Sequence, residues 1–273
     1  MTRKIWFVTG IGRGLGHAVA RAALARGDAV IGTTRDGIAP ANLTGDLIMF
    51  ALDMRRLDAV ADVAARAVAV HGRLDVVVNN AGYGLVGPVE AAEDDETAEL
   101  FRVNLFAPLA VIRAVLPTLR AQRSGHIVNI SSVAGIAPGA ASGVYSASKA
   151  ALGALSQSLA QEVAPFGIWV TSVSPGSFRT DFLSDHSAKR SAAEIVDYVA
   201  GGTVATLLAK DGRQIGNPAA AAQAILQLVD ADEPPLDLLL GSDALQRART
   251  RLDRFDEDVR RWEDVSLTTD FSA

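Results

Sequence analysis

The chain has 273 residues, of which 49% are hydrophobic and 21% charged, and these proportions argue against a disordered, collagen-like or coiled-coil protein. The net charge is −5 and no stretch concentrates Lys and Arg, so we expect neither a nucleic acid nor a membrane surface as partner. Cysteine is absent, which excludes disulfides and thiolate chemistry and suits a reducing cytosol.

Short aliphatic runs alternate with longer Ala-rich stretches along most of the chain. The runs predict strands, in chain order, at Ile5–Thr9, Ala29–Thr34, Leu47–Leu52, Leu74–Asn79, His126–Ile130, Ile168–Val173 and Leu236–Leu240. The stretches between them predict helices at Gly14–Arg26, Arg56–His71, Asp94–Gln122 with a break near Pro108, Val144–Ala164, Asn217 to about Asp230, and Ser242–Val265. Continuous apolar strands separated by helices indicate an α/β fold, a doubly wound parallel sheet of about seven strands flanked by helices.

The organisation along the chain favours one domain, residues 1–273. Residues 180–217 are polar and lack a strand period, so we interpret them as an insertion that covers a substrate, and residues 242–273 as a charged helical tail. No signal peptide and no uninterrupted apolar span are recognisable, so a soluble, cytoplasmic protein is expected. The histidines His17, His71, His126 and His186 lack the spacing of a helical metal pair, and no metal is expected.

A glycine-rich loop follows the first strand and leads into the first helix. Gly10 permits a tight turn, Gly14 lets backbone N–H groups approach a pyrophosphate, and Gly16 lets the helix pack close to the strand. The loop also contains Gly12, Arg13 and Leu15. A loop of this kind, taken alone, is a structural turn about as often as a nucleotide site.

Two later segments bring hydroxyl and amine groups to the predicted sheet. Tyr145 and Lys149 are four residues apart on a predicted helix, so their side chains lie on one face, one turn apart. Ser132 follows a strand, where side chains project at the carboxyl edge at which ligands bind. Its neighbour Ser131 is the other candidate, but strand alternation directs it to the opposite face.

These motifs together resemble a known family. With Thr-Gly-x-x-x-Gly-x-Gly at 9–16, Asn-Asn-Ala-Gly at 79–82, Asn104, Ser132, Tyr-x-x-x-Lys at 145–149 and Pro-Gly at 175–176, the chain resembles the compact branch of the short-chain dehydrogenase/reductases over roughly residues 4–240. Segments 32–35, 174–182 and 239–243 further resemble its 17β-hydroxysteroid-dehydrogenase-like subgroup. The resemblance implies a Rossmann fold and an oxidoreductase that interconverts a ketone or aldehyde with an alcohol, transferring a hydride to or from a nicotinamide cofactor.

The resemblance assigns roles to individual residues. It implies that Tyr145 is the general acid or base, that Ser132 holds the substrate carbonyl oxygen, that Lys149 binds the nicotinamide ribose, and that Asn104 anchors a relay water to Lys149. The ammonium and the oxidised nicotinamide would lower the pKa of Tyr145 from its ordinary ~10. The remaining cofactor contacts it implies are Asp53 or Met54 at the adenine, and Asn80, Ala81, Gly82, Pro175, Gly176, Phe178 and Thr180 along the dinucleotide.

The end of the second strand decides between the two nicotinamide cofactors. The position where an acid would bind the adenosine ribose is Thr34, and Arg35 follows it. Arg35 and Arg13 can clamp a 2′-phosphate, so NADP(H) is predicted. Asp36 leaves NAD(H) open, because an acid there could face the ribose.

Other functions remain as alternatives. A catalytically silent NAD(P)-binding sensor or scaffold protein would keep the glycine loop, but it would have no need of Ser132, Tyr145 and Lys149. A sugar-nucleotide epimerase or dehydratase would have different glycine spacing. The expected partners are a fairly apolar carbonyl or alcohol substrate and a second or further copy of the chain, in a homodimer or homotetramer formed through the helices on either side of Ser132.

Overall fold

The computed structural model describes residues 3–184, 187–193, 195–200, 202–209 and 211–271. His186 lies outside these ranges. The elements, in chain order, are β1 (Ile5–Val8), α1 (Gly14–Ala25), β2 (Ala29–Thr34), β3 (Leu47–Ala51), α2 (Leu57–His71), β4 (Val76–Asn79), β5 (Gly84–Val86), α3 (Asp94–Phe101), α4 (Ala107–Gln122), β6 (Gly125–Ile130), α5 (Gly143–Val163), β7 (Ile168–Pro175), β8 (Ala188–Arg190), α6 (Val196–Ala200), α7 (Thr203–Leu208), α8 (Pro218–Asp230), β9 (Asp237–Leu240) and α9 (Ser242–Leu267).

The main sheet confirms the predicted fold class. Across the described ranges it has seven strands in the order β3-β2-β1-β4-β6-β7-β9, and every pair is parallel. The chain moves outward from β1 to β3 and then returns to the other side of β1 with β4. This reversal opens a crevice at the carboxyl ends of β1 and β4, where doubly wound sheets bind ligands.

Helices cover both faces of the sheet because successive strand residues point to opposite sides. Val8 of β1 lies in a core formed with α1 and α8, where Val19 and Ile225 are fully buried. Phe7, the preceding residue, lies in the core formed with α2, α4 and α5, where Val111 is fully buried. Burial on both faces explains why the strands read as continuous apolar runs rather than alternating ones.

The predicted helix Asp94–Gln122 is irregular close to Pro108, where a break was expected. Pro108 is the second residue of α4, and it has no N–H to continue the α-helical hydrogen bonds of the preceding turn. The irregularity lies before it, at Arg102–Phe106, where the Ala107 N–H bonds the Arg102 carbonyl and closes a π turn. By length and composition alone this stretch could cross a membrane. In the fold, however, its apolar side chains pack against the sheet.

Residues 180–217 contain more regular structure than the sequence indicates. The short strand β8 pairs in parallel with β5, and together they form a second, two-stranded sheet. Neither strand was predicted, because three residues are too few to show a period. The segment also carries α6 and α7.

Candidate active site

A cavity of about 1690 Å³ opens at the carboxyl edge of the main sheet. Pockets for a single small ligand usually measure about 300–1000 Å³, so this one has room for a dinucleotide and a substrate together. All the predicted site residues except Gly16 and Asn104 line it: Gly10, Gly12, Arg13, Gly14, Leu15, Arg35, Asp53, Met54, Asn80, Ala81, Gly82, Ser132, Tyr145, Lys149, Pro175, Gly176, Phe178 and Thr180. The fold therefore brings together residues that are far apart in the chain.

The glycine loop is shaped to receive a phosphate. Gly10 has φ +73°, a left-handed conformation that favours glycine. A Cβ on Gly16 would lie 2.2 Å from Asn80 Nδ2 and 2.5 Å from the Gly10 carbonyl, so the close packing requires glycine there. Helix α1 starts with no side-chain cap and no acidic residue in its first turn, which leaves its N–H groups suited to an anion. These residues fit the pyrophosphate of a dinucleotide.

Asn80 ties the loop to the end of β4. Its Nδ2 donates to the carbonyls of Thr9 and Gly10, both at 2.9 Å. The Thr9 hydroxyl accepts from the N–H groups of Asn80 and Ala81. These hydrogen bonds fix the position of the glycine loop relative to the end of β4.

Arg35 and Asp36, at the end of β2, both line the cavity. Asp36 accepts hydrogen bonds from the Ile38 N–H and the Thr34 hydroxyl, each at 3.0 Å, which lower its pKa. The carboxylate is thus engaged in a local turn. Arg35 and Arg13 both line the cavity, and Arg13 also donates to the Ser187 hydroxyl at 2.7 Å.

Asp53 has a partner that the sequence did not indicate. The Arg55 guanidinium pairs with its carboxylate at 2.5 Å, and this hydrogen bond holds the pKa of Asp53 below its ordinary value. The Asp53 carboxylate is therefore already paired with Arg55 at the place where the resemblance leads us to expect the adenine ring.

Ser132 and Tyr145 form the centre of the site. The Ser132 hydroxyl lies near enough to the Tyr145 phenol to lower its pKa, and the Ser132 oxygen accepts from the Ala134 N–H at 3.1 Å. The Ser131 hydroxyl instead donates to the Lys149 carbonyl at 2.9 Å, inside the protein. Both serines border the cavity, but their hydroxyls have different partners.

In this structure burial raises the pKa of Tyr145 to about 12, and the nearby Ser132 hydroxyl opposes this only in part. Burial also lowers the pKa of Lys149 to about 8. Withdrawal from water disfavours both charged forms. The lowering of the Tyr145 pKa expected from Lys149 and the oxidised nicotinamide together stays a prediction.

The Lys149 ammonium is closely surrounded by other groups of the protein. Its Nζ donates to the Ile130 carbonyl at 2.9 Å. A Cβ on Gly82 would lie 3.4 Å from this Nζ and 3.0 Å from the Oδ1 of Asn104. A larger residue at position 82 would press on both groups, so Gly82 matters for more than the turn itself.

Asn104 lies at the π turn and is fully buried. Its Oδ1 accepts from the Tyr83 N–H, and its Nδ2 donates to the Tyr83 carbonyl and to the Ser148 hydroxyl. The carboxamide therefore fixes the segment that follows Asn-Asn-Ala-Gly. The relay water implied by the resemblance stays a prediction.

Three other predicted residues border the far end of the site. The Thr180 hydroxyl accepts from the Phe182 N–H at 3.3 Å, and a Cβ on Gly14 would lie 3.7 Å from the Thr180 Cβ. The N–H of Gly176 donates to the Leu240 carbonyl at 2.9 Å. Phe178 forms an isolated bridge with Gly216. These contacts join the end of β7 to the glycine loop and to the segment before α8.

The wall beside Tyr145 is apolar. The rings of Tyr145 and Phe182 lie 5.6 Å apart, tilted by 51°. Leu85, Leu100 and Ala134 are buried in the same cluster. A carbonyl compound with apolar flanks would find matching surface here.

Two features of this wall were missed by the sequence interpretation. The ion pair between Lys189 and Glu99, at 2.7 Å, joins β8 to α3, and the ammonium lies 5.0 Å from the centre of the Tyr83 ring. Asp243 at the start of α9 accepts from the Ser177 N–H at 2.8 Å. All these residues line the cavity, yet no local pattern relates them, because each pair joins distant segments.

The fold and the site define a dinucleotide-binding protein with a serine–tyrosine pair at the sheet edge. The family model described as short chain dehydrogenase matches residues 4–191. The oxidoreductase BOA17 of Botryotinia fuckeliana is 36% identical over 97% of this chain and 99% of its own. A short-chain dehydrogenase structure from Streptomyces avermitilis is 41% identical, with a TM-score of 0.91 over 99% of this chain and 100% of that one. A metagenomic short-chain oxidoreductase in complex with NADP is 32% identical, with a TM-score of 0.68 over 87% of this chain and 96% of that one. The chain belongs to the short-chain dehydrogenase family and is an oxidoreductase.

Proposed function

We propose that the chain is an NADP(H)-dependent enzyme that interconverts a ketone or aldehyde with an alcohol, with Tyr145 as its general acid or base. The observation that carries the proposal is the placement of Ser132, Tyr145 and Lys149 together on the wall of one cavity. A protein that only senses or stores a dinucleotide has no use for a phenol and a hydroxyl held in this way.

The two hydroxyls divide the work on the substrate. When bound, a reduced nicotinamide would supply the hydride for the carbonyl carbon. Ser132 donates a hydrogen bond to the carbonyl oxygen, where negative charge develops, and such a donor is worth ~3–4 kcal/mol in the transition state. Tyr145 gives its proton to the same oxygen and completes the alcohol.

The pKa of Tyr145 favours the acid role. A phenol with a pKa of about 12 remains protonated at neutral pH, as a proton donor must. Lys149, with a pKa of about 8, carries a positive charge at neutral pH, and this charge stabilises the phenolate that forms when the proton leaves.

The preference for NADP(H) rests on the end of β2. Arg13 and Arg35 line the cavity, and a pair of guanidiniums suits the 2′-phosphate. Asp36 also lines the cavity, and its Oδ1 accepts hydrogen bonds from Thr34 and Ile38, which tie one carboxylate oxygen to a local turn. The structural relative bound to NADP agrees with this choice.

The substrate class follows from the wall around Tyr145. Phe182, Leu85 and Ala134 make it apolar, so we infer a fairly apolar carbonyl or alcohol substrate. The resemblance to the 17β-hydroxysteroid-dehydrogenase-like subgroup agrees with an apolar substrate without fixing its skeleton.

The proposal is tested with the full chain and a panel of ketones, aldehydes and secondary alcohols, followed at the nicotinamide absorbance. We expect turnover of an apolar carbonyl compound, with a higher kcat/KM for NADPH than for NADH. Binding of NADPH without turnover of any member of the panel would support the silent sensor instead. A higher kcat/KM for NADH would assign the ribose contact to Asp36.

A further inference from the structure

The terminal helix α9 carries an apolar stripe that no other described part of the chain covers. The helix has 26 residues, and only Ala244 and Ala248, in its first two turns, are buried. Every described residue from Arg249 onward is exposed. The exposed large apolar residues in this part of the helix include Leu252 (58%), Phe255 (54%), Val259 (49%) and Trp262 (57%).

These four side chains follow a heptad spacing. The steps from Leu252 to Phe255, Val259 and Trp262 are three, four and three residues, the spacing of the seam along which two helices pack in a coiled coil. A helix with such a stripe gains most of its stability from a partner surface rather than from its own hydrogen bonds. A contiguous exposed stripe of this kind marks an interaction site.

The charges on α9 are divided between its two halves. Residues 242–254 hold four arginines and two aspartates, a net charge of +2, whereas residues 255–267 hold five acidic residues and two arginines, a net charge of −3. This order opposes the helix dipole, which favours acidic residues at the N-terminal end and basic residues at the C-terminal end. An isolated helix gains nothing from it, but two copies lying antiparallel bring each basic half against an acidic one.

We propose that α9 pairs antiparallel with α9 of a second copy of this chain. In the symmetric register that the spacing allows, Leu252 faces Trp262 of the partner subunit, and Phe255 faces the partner's Val259. The positions on one side of the seam then bring Arg249 against the partner's Glu263. This contact occurs twice, so two ion pairs flank the apolar seam and favour the antiparallel orientation.

Helix α9 itself also reaches the active-site cavity. Asp243 and Arg247, in the first turns of α9, line the cavity and bond the Ser177 N–H and the Ala137 carbonyl respectively. The surface proposed here is separate from the helices around Ser132, through which the family resemblance leads us to expect assembly.

The first test measures the molar mass of the full chain by size exclusion with light scattering. Leu252→Glu puts a carboxylate into the seam, and Thr250→Glu makes the same charge change on the opposite face of the helix. We expect Leu252→Glu to lower the mass of the assembly twofold and Thr250→Glu to leave it unchanged. Equal masses for Leu252→Glu and wild type would overturn the proposal.

Exchanging the charges beside the seam tests the antiparallel orientation and leaves the apolar residues of the seam unchanged. Arg249→Glu brings two carboxylates together across the helix pair, and Glu263→Arg brings two guanidiniums together. Each alone should show the twofold lower mass, and an equimolar mixture should recover the wild-type mass. A mixture that stays at the lower mass would contradict antiparallel pairing.

A cross-link reports on this interface even where the copies also meet elsewhere. The chain has no cysteine, so a single introduced thiol is the only one present. In the proposed register position 256 lies next to position 256 of the second copy, so Asp256→Cys should form a covalent dimer on mild oxidation, and Thr250→Cys should not. Equal cross-linking of the two variants would refute the register.

Wild-type protein that has the mass of a single chain and sediments with phosphatidylcholine and phosphatidylserine vesicles would overturn the proposal in favour of a lipid surface.

Discussion

The side chain of Asn104 holds the backbone of Tyr83 at both of its polar atoms. Oδ1 accepts from the Tyr83 N–H at 3.1 Å, and Nδ2 donates to the Tyr83 carbonyl at 3.0 Å. The π turn that contains Asn104 brings this amide to the crevice, where it abuts Gly82. One irregular helical turn therefore positions both the segment beside the cofactor site and the first residue of the substrate wall.

Arg35→Ala tests the choice of cofactor. We expect the KM for NADPH to rise by tenfold or more, since a charge-assisted hydrogen bond to phosphate is worth ~1.5–3 kcal/mol, while the KM for NADH changes little. Steady-state kinetics with each cofactor measures both values. An equal loss for the two cofactors would show that Arg35 does not contact the 2′-phosphate.

Ser132→Ala tests the donor to the carbonyl oxygen. We expect kcat to fall by ~10²–10³, the usual cost of removing one such donor. The matched control is Ser131→Ala, whose hydroxyl bonds the Lys149 carbonyl and whose loss should cost ~1 kcal/mol of stability and far less turnover. If the two variants lose equal turnover, the assignment of Ser132 fails.

Gly16→Ala tests the close packing beneath the glycine loop. The new Cβ would clash with Asn80 Nδ2 and the Gly10 carbonyl, so we expect weaker NADPH binding and a lower Tm. Gly153→Ala is the control, because a Cβ there meets nothing within 4 Å inside α5 and should stabilise the helix by ~0.5–1 kcal/mol. Binding titration and thermal unfolding report the two effects, and wild-type affinity in Gly16→Ala would contradict the proposed cradle.

The buried His126 leads us to predict that the folded protein loses stability in acid. Burial lowers its pKa to about 4, and its Nε2 lies 2.9 Å from the Thr171 hydroxyl. Between pH 6.5 and about 4 the unfolded chain binds a proton that the folded protein does not, so the free energy of unfolding should fall by ~3 kcal/mol as the pH drops through this window. Urea unfolding at several pH values measures this slope. In His126→Gln the slope should be shallower, and an unchanged slope would assign the acid sensitivity to other groups.

The sequence was sufficient for the main sheet and for most of the site. The ends of its seven strands agree with the structure to within two residues, because a strand buried on both faces reads as an unbroken apolar run. The fold then fixes where Ser132 and Tyr145 lie, since strand ends in a parallel sheet share one edge.

Features that depend on tertiary packing could not be predicted from local sequence patterns. β5 and β8 stabilise each other only through their pairing and have no period of their own. Burial raises the pKa of Tyr145, and the spacing to Lys149 does not reveal that burial. The pairing of Lys189 with Glu99 joins segments ninety residues apart.

The most direct test of the proposed chemistry is the turnover of Tyr145→Phe with its NADPH affinity measured alongside. Phenylalanine keeps the ring that packs against Phe182 and removes only the proton donor. We predict that kcat falls by ~10²–10⁴ while the Kd for NADPH stays close to that of the wild type. Wild-type turnover in this variant would show that some other group gives the proton, and the assignment of Tyr145 would be wrong.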